Sequence, residues 1–479
     1  MVVLGADAAQ NNPVVYGAYV MLAPAADGST LMYARAVVDG STSACPKLIS
    51  SEGEVLLMQP RGMHPDDANK TSNFLVTVCE VIIKEGTAYN DSTDQINLRP
   101  MTLSPKQILV YGDTGCEEKN CPLGEPAKQF EALIKQGLKE KPELLLHMGD
   151  GNYRGTSGAI SGEVYAYDAG DGGYGGLSCA YTSTYTSQNS KGSPRPDTWS
   201  NWNDDFFEPA KSMLSSAPWV FARGNHELCS RAGLGWFYFF GPGSSLKGGV
   251  AQMQCPDQGD YAKPPTTAAG HIAMIPPYFV DLGYQRLWVL DTANACDAGS
   301  DNPLTDEYQT QFEQLQASAK VGETIWMMTH RPLWGVNSID GPSVSNVMLQ
   351  TALSKTPAKA LPSAVSLSLS GHMHVYQSLT FPPVSTRPAQ IIIGNSGVTL
   401  STGAPVGDFG ELKVDGQGAL GEGLALHGFL SMKTKTKGRW KGEILDEKGN
   451  TLVRCDSKYV ARGERICKIK VKSKSFLPF

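Results

Sequence analysis

The sequence of 479 residues lacks several features that would assign it to large classes of protein. No apolar run approaches the roughly 18 residues of a membrane-spanning helix, so no transmembrane segment is expected. No Cys-x-x-Cys pair occurs, which argues against a structural zinc site. The formal net charge of -6 is mild and gives no reason to expect binding to a nucleic-acid backbone.

Lysine residues are clustered in one stretch near the C-terminus, between residues 468 and 474. They alternate with other residue types, as in Lys468-Ile469-Lys470-Val471-Lys472. Lysine at alternate positions is typical of an exposed edge strand, where it discourages pairing with another sheet. A solvated edge strand is therefore favoured over a basic groove for nucleic acid.

Ten cysteines without a metal-binding spacing indicate disulfides and an oxidising compartment. Their spacing favours local pairs: Cys45 with Cys79, Cys116 with Cys121, Cys255 with Cys296, and Cys455 with Cys467, leaving Cys179 and Cys229. Ten cysteines allow about 945 pairings, so the sequence leaves the connectivity open. No cysteine has a neighbouring histidine in a nucleophile motif, which disfavours a catalytic thiol. Because the first residues lack the order of a signal peptide, we expect that an export signal has been removed and that the protein is secreted or periplasmic.

The chain is longer than one compact core accommodates, which predicts two or three domains. Residues 1–103 contain short alternating apolar runs punctuated by Gly, Pro, Asp and Asn, as expected for a small all-β, sandwich-like domain. Residues 104–400 alternate strand and helix patterns and predict an α/β domain. Residues 401–479 again show strand patterns, and we expect them to complete the second sheet of the α/β domain; a separate β-tail module is the alternative.

Five short polar clusters follow apolar runs along the α/β region. They are Gly112-Asp113-Thr114-Gly115, Gly149-Asp150-Gly151-Asn152-Tyr153, Gly224-Asn225-His226-Glu227, His330, and Gly371-His372-Met373-His374. Each apolar run predicts a buried strand, and open α/β sheets bind ligands at such strand ends. Carboxylate, amide, imidazole and phenol groups supply oxygen and nitrogen without thiolate, which suits two hard or borderline cations. The clusters therefore predict a hydrolase with two metal ions.

This series resembles the calcineurin-like metallophosphoesterases, whose motifs run D, GD, GNH[DE], H and GHxH. The resemblance covers roughly residues 107–400 and implies a two-sheet αββα sandwich. Two positions resemble the purple acid phosphatases of that superfamily. Gly115 stands where the commoner branch has a histidine ligand, and Tyr153 stands where purple acid phosphatases have a tyrosine ligand. Those enzymes also often carry an N-terminal β-sandwich, which agrees with the prediction for residues 1–103.

The resemblance implies seven ligands for two metal ions. Asp150 would bridge both ions, Asp113, Tyr153 and His374 would complete the first site, and Asn225, His330 and His372 the second. Because a phenolate is a hard anionic donor, the resemblance implies ferric iron, Fe(III), beside Tyr153. The second ion would be iron, zinc or manganese. A packing role for Tyr153 is the alternative.

His226 is the candidate acid that protonates the leaving group, because it adjoins Asn225 and is not needed as a ligand. Orientation of a ligand is the alternative role for this histidine. Glu227 is expected to support the ligands rather than to act on substrate. Arg223 and Arg331 flank site residues and are candidates for phosphate contact, with a structural role as the alternative.

The segment from residue 154 to residue 197 is rich in Gly, Ser, Thr and Tyr and follows the second cluster directly. A loop of this length is either functional or disordered, and its tyrosines favour an ordered lid that selects the substrate.

Together, these features predict an exported phosphohydrolase that cleaves small phosphate monoesters by attack of a metal-bound hydroxide. A phosphodiesterase acting on a cyclic nucleotide or a phospholipid headgroup is one alternative. A metal-stabilised surface-binding protein is another, and the oligomeric state stays open.

Overall fold

The residues described in this computed structural model form three β-sheets. The structure describes residues 13–40, 45–69, 72–117, 121, 124–154, 197–228, 231–255, 273–297, 299–300, 304–338, 346–436 and 438–470. The strands are β1 (Val15–Pro24), β2 (Thr30–Asp39), β3 (Lys47–Ser50), β4 (Val55–Leu57), β5 (Gln59–Pro60), β6 (Val76–Ile83), β7 (Tyr89–Asn90), β8 (Asn97–Leu98), β9 (Gln107–Tyr111), β10 (Leu144–His147), β11 (Pro218–Phe221), β12 (Tyr278–Asp281), β13 (Arg286–Val289), β14 (Ile325–Met328), β15 (Val365–Ser370), β16 (Tyr376–Thr380), β17 (Ala389–Ile393), β18 (Gly407–Val414), β19 (Gln417–Leu424), β20 (Phe429–Thr434), β21 (Trp440–Leu445), β22 (Thr451–Asp456) and β23 (Cys467–Ile469).

Helices are fewer than strands among the described residues. They are α1 (Pro65–Asn69), α2 (Lys128–Gly137), α3 (Trp199–Trp202), α4 (Glu208–Ala210), α5 (Gly233–Phe240), α6 (Leu304–Ser318) and α7 (Val347–Lys355). A π-helical turn, Asn203–Phe207, joins α3 to α4. Short 3-10 turns span Leu138–Glu140, Asn225–Glu227 and Ser457–Arg462.

The first sheet has eleven strands in the order β23-β22-β21-β20-β9-β10-β11-β1-β2-β6-β5. At the centre of this sheet, the adjacent strands β9, β10, β11 and β1 pair in the parallel direction. Every residue of β9, β10 and β11 is buried, as expected for parallel strands covered on both faces. The carboxyl ends of these three strands therefore meet at one edge.

The second sheet has eight strands in the order β12-β13-β14-β15-β17-β16-β19-β18. Strands β13, β14, β15 and β17 run parallel, and β12 pairs with β13 in the antiparallel direction. A smaller third sheet has the order β4-β3-β7-β8.

The two large sheets pack face to face, with helices on the outer side of the second. In β14, Trp326 and Met328 belong to the same apolar cluster as the strands of the first sheet, while Ile325 and Met327 pack with α6 and α7. This alternation follows from the two-residue period of a strand. The α/β class and the layered arrangement predicted from the sequence are confirmed, and so are the five strands that precede the polar clusters.

The N-terminal part of the described chain contains strands and one short helix, α1, and most of its strands extend the first sheet. Strand β1 pairs with β11 through Val20 opposite Pro218 and Met21 opposite Trp219, and β2, β6 and β5 follow outward. Parallel pairing of this kind depends on contacts about 200 residues apart, which local patterns do not reveal. The division of the chain at residue 103 stays a prediction.

The C-terminal strands are divided between the sheets, which differs from the prediction that they complete the second. Strands β18 and β19 lie at the edge of the second sheet, whereas β20 to β23 lie in the first, where β20 pairs with β9. The boundary at residue 400 also stays a prediction. Strand β23 is an edge strand, as the alternating lysines indicated for this part of the chain, and residues 471–479 lie outside the described residues.

Three of the predicted disulfides are confirmed: Cys45–Cys79, Cys116–Cys121 and Cys455–Cys467. Cys255 and Cys296 are also disulfide-bonded. Cys179 and Cys229 lie outside the described residues, so the pairing of these four cysteines stays a prediction. No helix in the described ranges is long and apolar enough to cross a membrane.

A buried cluster of three charged side chains ties the N-terminal strands to the end of α5. Arg35 and Arg61 both contact Glu80, at 3.2 and 2.7 Å, and all three are shielded from solvent. The two guanidinium groups also donate to the carbonyl oxygens of Phe239 and Gly243, at 2.7 Å each. Cations at the C-terminal end of a helix bind its unpaired carbonyls and favour its dipole.

Another buried acid, Asp197, joins α3 to α5. Its carboxylate accepts hydrogen bonds from the Trp202 indole and from the backbone N–H of Gly235, both at 2.8 Å. Burial raises the pKa of Asp197 to about 7.

Candidate metal centre

The five polar clusters lie at the carboxyl ends of strands from both large sheets. Those after β9, β10 and β11 come from the first sheet, and those after β14 and β15 come from the second. The structure brings together all seven side chains that the sequence singled out as candidate ligands.

A first group contains Asp113, Asp150 and His374, whose candidate ligand atoms lie within 4.8 Å of one another. The Tyr153 hydroxyl lies among them. Its oxygen is 3.1 Å from Asp113 Oδ1, 3.1 Å from Asp150 Oδ2 and 2.9 Å from His374 Nε2. The phenol therefore points into the group rather than into the apolar core, which disfavours a packing role for this tyrosine.

A second group contains Asp150, His330 and His372, again with candidate ligand atoms within 4.8 Å. His330 Nε2 lies 3.3 Å from Asp150 Oδ2 and 3.0 Å from Asn225 Oδ1. The Asn225 amide thus lies beside this group. Asp150 belongs to both groups, as a carboxylate must if it is to bridge two cations.

Four of the candidate ligands have an unusual backbone conformation. Asp113, Asp150, His372 and His374 have positive φ angles of 57°, 56°, 75° and 51°. Residues other than glycine adopt this left-handed backbone conformation at a cost of roughly 1–2 kcal/mol each, and such residues concentrate at functional sites. The chain therefore holds these four residues in place against their local preference.

Gly115 allows the Tyr153 side chain to lie where it does. A Cβ atom at position 115 would be 2.7 Å from Tyr153 Cδ2 and 2.9 Å from the Tyr153 backbone nitrogen. Real Cβ atoms do not approach other atoms so closely, so a larger residue at 115 requires this loop to move. The two positions that resemble purple acid phosphatases are thus in direct contact.

Glu227 holds the loop that carries Asp150. Its Oε2 accepts from the backbone N–H groups of Asp150 and Gly224 at 2.9 and 2.8 Å, and its Oε1 accepts from Gly151 and Asn152 at 2.7 and 3.2 Å. Burial, and next the charge of Asp150, raise the pKa of Glu227 to about 7. This geometry agrees with the supporting role expected for Glu227.

Asp205 holds the loop that carries Tyr153, and the sequence had not pointed to it. Its carboxylate accepts from the backbone N–H groups of Tyr153 at 2.8 Å and Cys116 at 3.3 Å, and from Arg154 Nε at 2.5 Å. Asp205 lies in the π-helical turn Asn203–Phe207, an irregularity that often marks a functional site. The feature that marks Asp205, a π-helical turn, is not recognisable in the sequence pattern.

His226 lies beside the first group without belonging to it. Its ring centroid is 3.9 Å from that of Tyr153, and its backbone N–H donates to Asp150 Oδ1 at 2.9 Å. Nδ1 of His226 is buried and has no hydrogen-bond partner among the described residues. Burial, and next the charge of Arg231, hold the pKa of this imidazole well below its usual value.

The two arginines that were candidates for phosphate contact both bind carboxylates. Arg223 Nε lies 3.0 Å from Asp291 Oδ2, and this buried pair joins the end of β11 to the end of β13. Arg331 forms an ion pair with Asp297, a residue that the sequence had not pointed to. The geometry therefore favours the structural alternative for both arginines. Residues 155–196, the predicted lid, lie outside the described residues.

The electrostatics of the cluster suit bound cations. Asp113, Asp150 and Glu227 are buried, each at most 1% exposed. Burial raises the pKa of Asp113 well above its usual value, and the charge of Asp150 adds to the effect. Burying several carboxylates together is costly unless positive charge compensates them. The oxygen and nitrogen donors, the shared Asp150 and this group of buried carboxyl side chains all fit two metal ions.

Comparisons with known proteins agree with this geometry. A search of curated proteins found no match. Among solved structures, the fold is similar to that of a purple acid phosphatase from yellow lupin (Lupinus luteus) seeds. That match has a TM-score of 0.50 and 14% sequence identity, and it covers 92% of this chain and 73% of that chain. At this identity the similarity shows the fold alone. The family model for calcineurin-like phosphoesterases matches residues 106–376, more than half of the sequence, and the chain therefore belongs to that family.

Proposed function

We propose that this protein is an exported phosphatase that cleaves small phosphate monoesters at a centre of two metal ions. The observation that carries the proposal is the pair of ligand groups that share Asp150, with the Tyr153 hydroxyl in the first group. Asp113, Asp150, Tyr153 and His374 would hold the first ion. Asp150 together with Asn225, His330 and His372 would hold the second.

When bound, two such cations supply an activated water and neutralise the charge of the phosphoryl oxygens. The residues of this chain provide the remaining functions. Glu227 and Asp205 hold the two loops that carry Asp150 and Tyr153, so that the ligands keep their positions without substrate. Such preorganisation lowers the cost of reaching the transition state.

His226 would donate the proton that the departing alcohol needs. Its Nδ1 is buried beside the candidate ligands and has no hydrogen-bond partner within the described part of the chain, so this atom is available for a substrate oxygen. The imidazole is neutral before substrate enters, because burial lowers its pKa. A phosphate group beside the ring would raise that pKa, since a neighbouring negative charge favours the protonated form.

A phenolate ligand favours a trivalent ion, so we propose ferric iron at the Tyr153 site and iron, zinc or manganese at the other. Elemental analysis and a visible absorption spectrum of the purified protein test this assignment. We expect two metal ions per chain, one of them iron, and a visible band from the phenolate-iron pair. An active protein that is colourless and free of iron would contradict it.

The variant Tyr153→Phe should lose the visible band, because it removes the phenolate oxygen and leaves the ring. Tyr376→Phe is the matched control. Tyr376 is also buried, but its hydroxyl donates to Glu422 at 2.9 Å rather than to a candidate ligand. Survival of the band in Tyr153→Phe, or its equal loss in Tyr376→Phe, would show that the chromophore is elsewhere.

The reaction itself is tested with a panel of phosphate monoesters and diesters. We expect hydrolysis of monoesters, whereas hydrolysis of diesters alone would favour a phosphodiesterase. Asp150→Ala removes the shared ligand and should abolish both metal binding and hydrolysis. Full hydrolysis by that variant would overturn the dinuclear mechanism. The three confirmed disulfides are consistent with the oxidising compartment that export implies.

A further inference from the structure

The three histidines of the two ligand groups each have one ring nitrogen engaged outside the groups. His330 Nδ1 lies 2.8 Å from the Met148 carbonyl oxygen, and His374 Nδ1 lies 3.2 Å from the Thr399 carbonyl oxygen. A carbonyl oxygen only accepts, so Nδ1 carries the proton in both rings. Their Nε2 atoms remain as ligands, in agreement with their contacts to the other candidate ligands.

His372 has the opposite arrangement. Its Nε2 lies 2.8 Å from Asp297 Oδ2 and 3.2 Å from Arg331 Nη1. A carboxylate oxygen only accepts and a guanidinium only donates, so the two neighbours demand different forms of the ring. The shorter contact with the full negative charge of Asp297 requires a proton on Nε2. Nδ1 of His372 is then the nitrogen available to a metal ion.

Asp297 is itself held by structure outside the two ligand groups. Its Oδ1 accepts from Asn346 Nδ2 at 2.8 Å, and its backbone carbonyl accepts from Val347 N at 3.1 Å. Asn346 is the N-cap of α7, with its side-chain oxygen accepting from Leu349 N at 2.8 Å. The carboxylate is therefore fixed by the start of a helix, and this anchor does not depend on the ligands.

We infer that Asp297 is a positioning residue for the second metal ion: its carboxylate holds the His372 ring in the tautomer and orientation that turn Nδ1 toward Asp150 and His330. Among the described residues, the partners of His330 and His374 in this role are neutral carbonyl oxygens, so His372 is distinguished by its carboxylate partner. A carboxylate behind a ligating imidazole makes it a stronger donor, and its loss typically lowers metal affinity about 10–100-fold. The inference rests on the dinuclear site proposed above.

The test is a titration of metal-free protein with Zn²⁺ alone, with the binding steps measured by calorimetry. In Asp297→Ala we expect one of the two sites to weaken about 10–100-fold while the other stays within a few fold. Asp306→Ala is the matched control, since Asp306 is an exposed aspartate that pairs with Lys355 at 2.9 Å. Equal affinities in wild type and Asp297→Ala would overturn the inference.

A rival explanation is that Asp297 only neutralises Arg331, which is fully buried. The double variant Asp297→Ala/Arg331→Met separates the two roles, because it removes the guanidinium together with its partner. If Asp297 positions His372, the double variant recovers stability toward urea but keeps the weak site. Recovery of both stability and zinc affinity would overturn the inference in favour of a structural ion pair.

The outcomes also separate this inference from the proposed function. Wild-type protein that binds no Zn²⁺ ion would contradict the proposed metal centre and with it the inference. Wild-type protein that binds two, with an Asp297→Ala variant that also binds two at unchanged affinity, would leave the phosphatase proposal intact and overturn the role of Asp297 alone.

Discussion

Glu227 offers the sharpest test of how the metal centre is held. Its two carboxylate oxygens accept four backbone N–H groups, those of Asp150, Gly151, Asn152 and Gly224, at 2.7 to 3.2 Å. The variant Glu227→Gln keeps the shape of the side chain and replaces one oxygen by an amino group. Two of the four N–H groups then face a donor instead of an acceptor.

The size of the effect follows from the two backbone N–H groups that lose their acceptor. A buried donor without a partner costs about 1–3 kcal/mol, so Glu227→Gln should lower the free energy of unfolding by about 2–6 kcal/mol if the loop stays in place. If the loop moves instead, Asp150 leaves its position and both ligand groups lose a member. Either way, we expect the variant to be less stable, less able to retain metal, or both.

The assay measures urea unfolding of the metal-free protein and metal content after dialysis of the loaded protein. Glu443→Gln is the matched control, because the half-exposed Glu443 side chain pairs with Arg454 on the outer side of the first sheet, at 2.8 Å. A surface pair of this kind contributes about 0–1 kcal/mol. The reasoning would be refuted if Glu227→Gln retained both ions and unfolded at the same urea concentration as the control.

Two further predictions concern buried acids away from the metal centre. The pKa of Asp197 is raised to about 7 in the folded protein. As the pH rises, this carboxyl group therefore ionises first in the unfolded chain, which favours unfolding. The free energy of unfolding should fall between about pH 4 and pH 7 by on the order of 4 kcal/mol. Asp197→Asn should remove that decline from the pH dependence of urea unfolding, and an unchanged profile would count against it. Glu80→Gln leaves the buried guanidinium groups of Arg35 and Arg61 without their counter-ion and should lower the free energy of unfolding by about 3–5 kcal/mol. A loss below about 1 kcal/mol in the same measurement would show that the carbonyl oxygens at the end of α5 suffice for both cations.

The sequence predicted the parts of the site that depend on local order. An apolar run followed by Asp113, Asp150 or His330 identifies both a buried strand and the residue at its carboxyl end, because a parallel sheet brings such ends together.

What the sequence did not predict depends on contacts between distant residues. The pairing of β1 with β11 and the division of the C-terminal strands between two sheets are decided by the packing of whole layers. Asp205 and Asp297 act on Tyr153 and His372 across 52 and 75 residues, and no spacing rule relates them. The left-handed backbone conformation of Asp113 and Asp150 is likewise imposed by the surrounding structure, and the residue type alone does not predict it.

The contact between Gly115 and Tyr153 has a consequence for how such a centre can evolve. A side chain at position 115 collides with the tyrosine, so a histidine there and a tyrosine at 153 do not fit together in this backbone. Exchanging one donor for the other takes two substitutions. Under the proposed ligand assignment, losing the tyrosine first would leave the first metal site one donor short, and gaining the histidine first would displace the loop. Each single substitution would therefore impair the site, which would make an exchange of these two donors resistant to gradual drift.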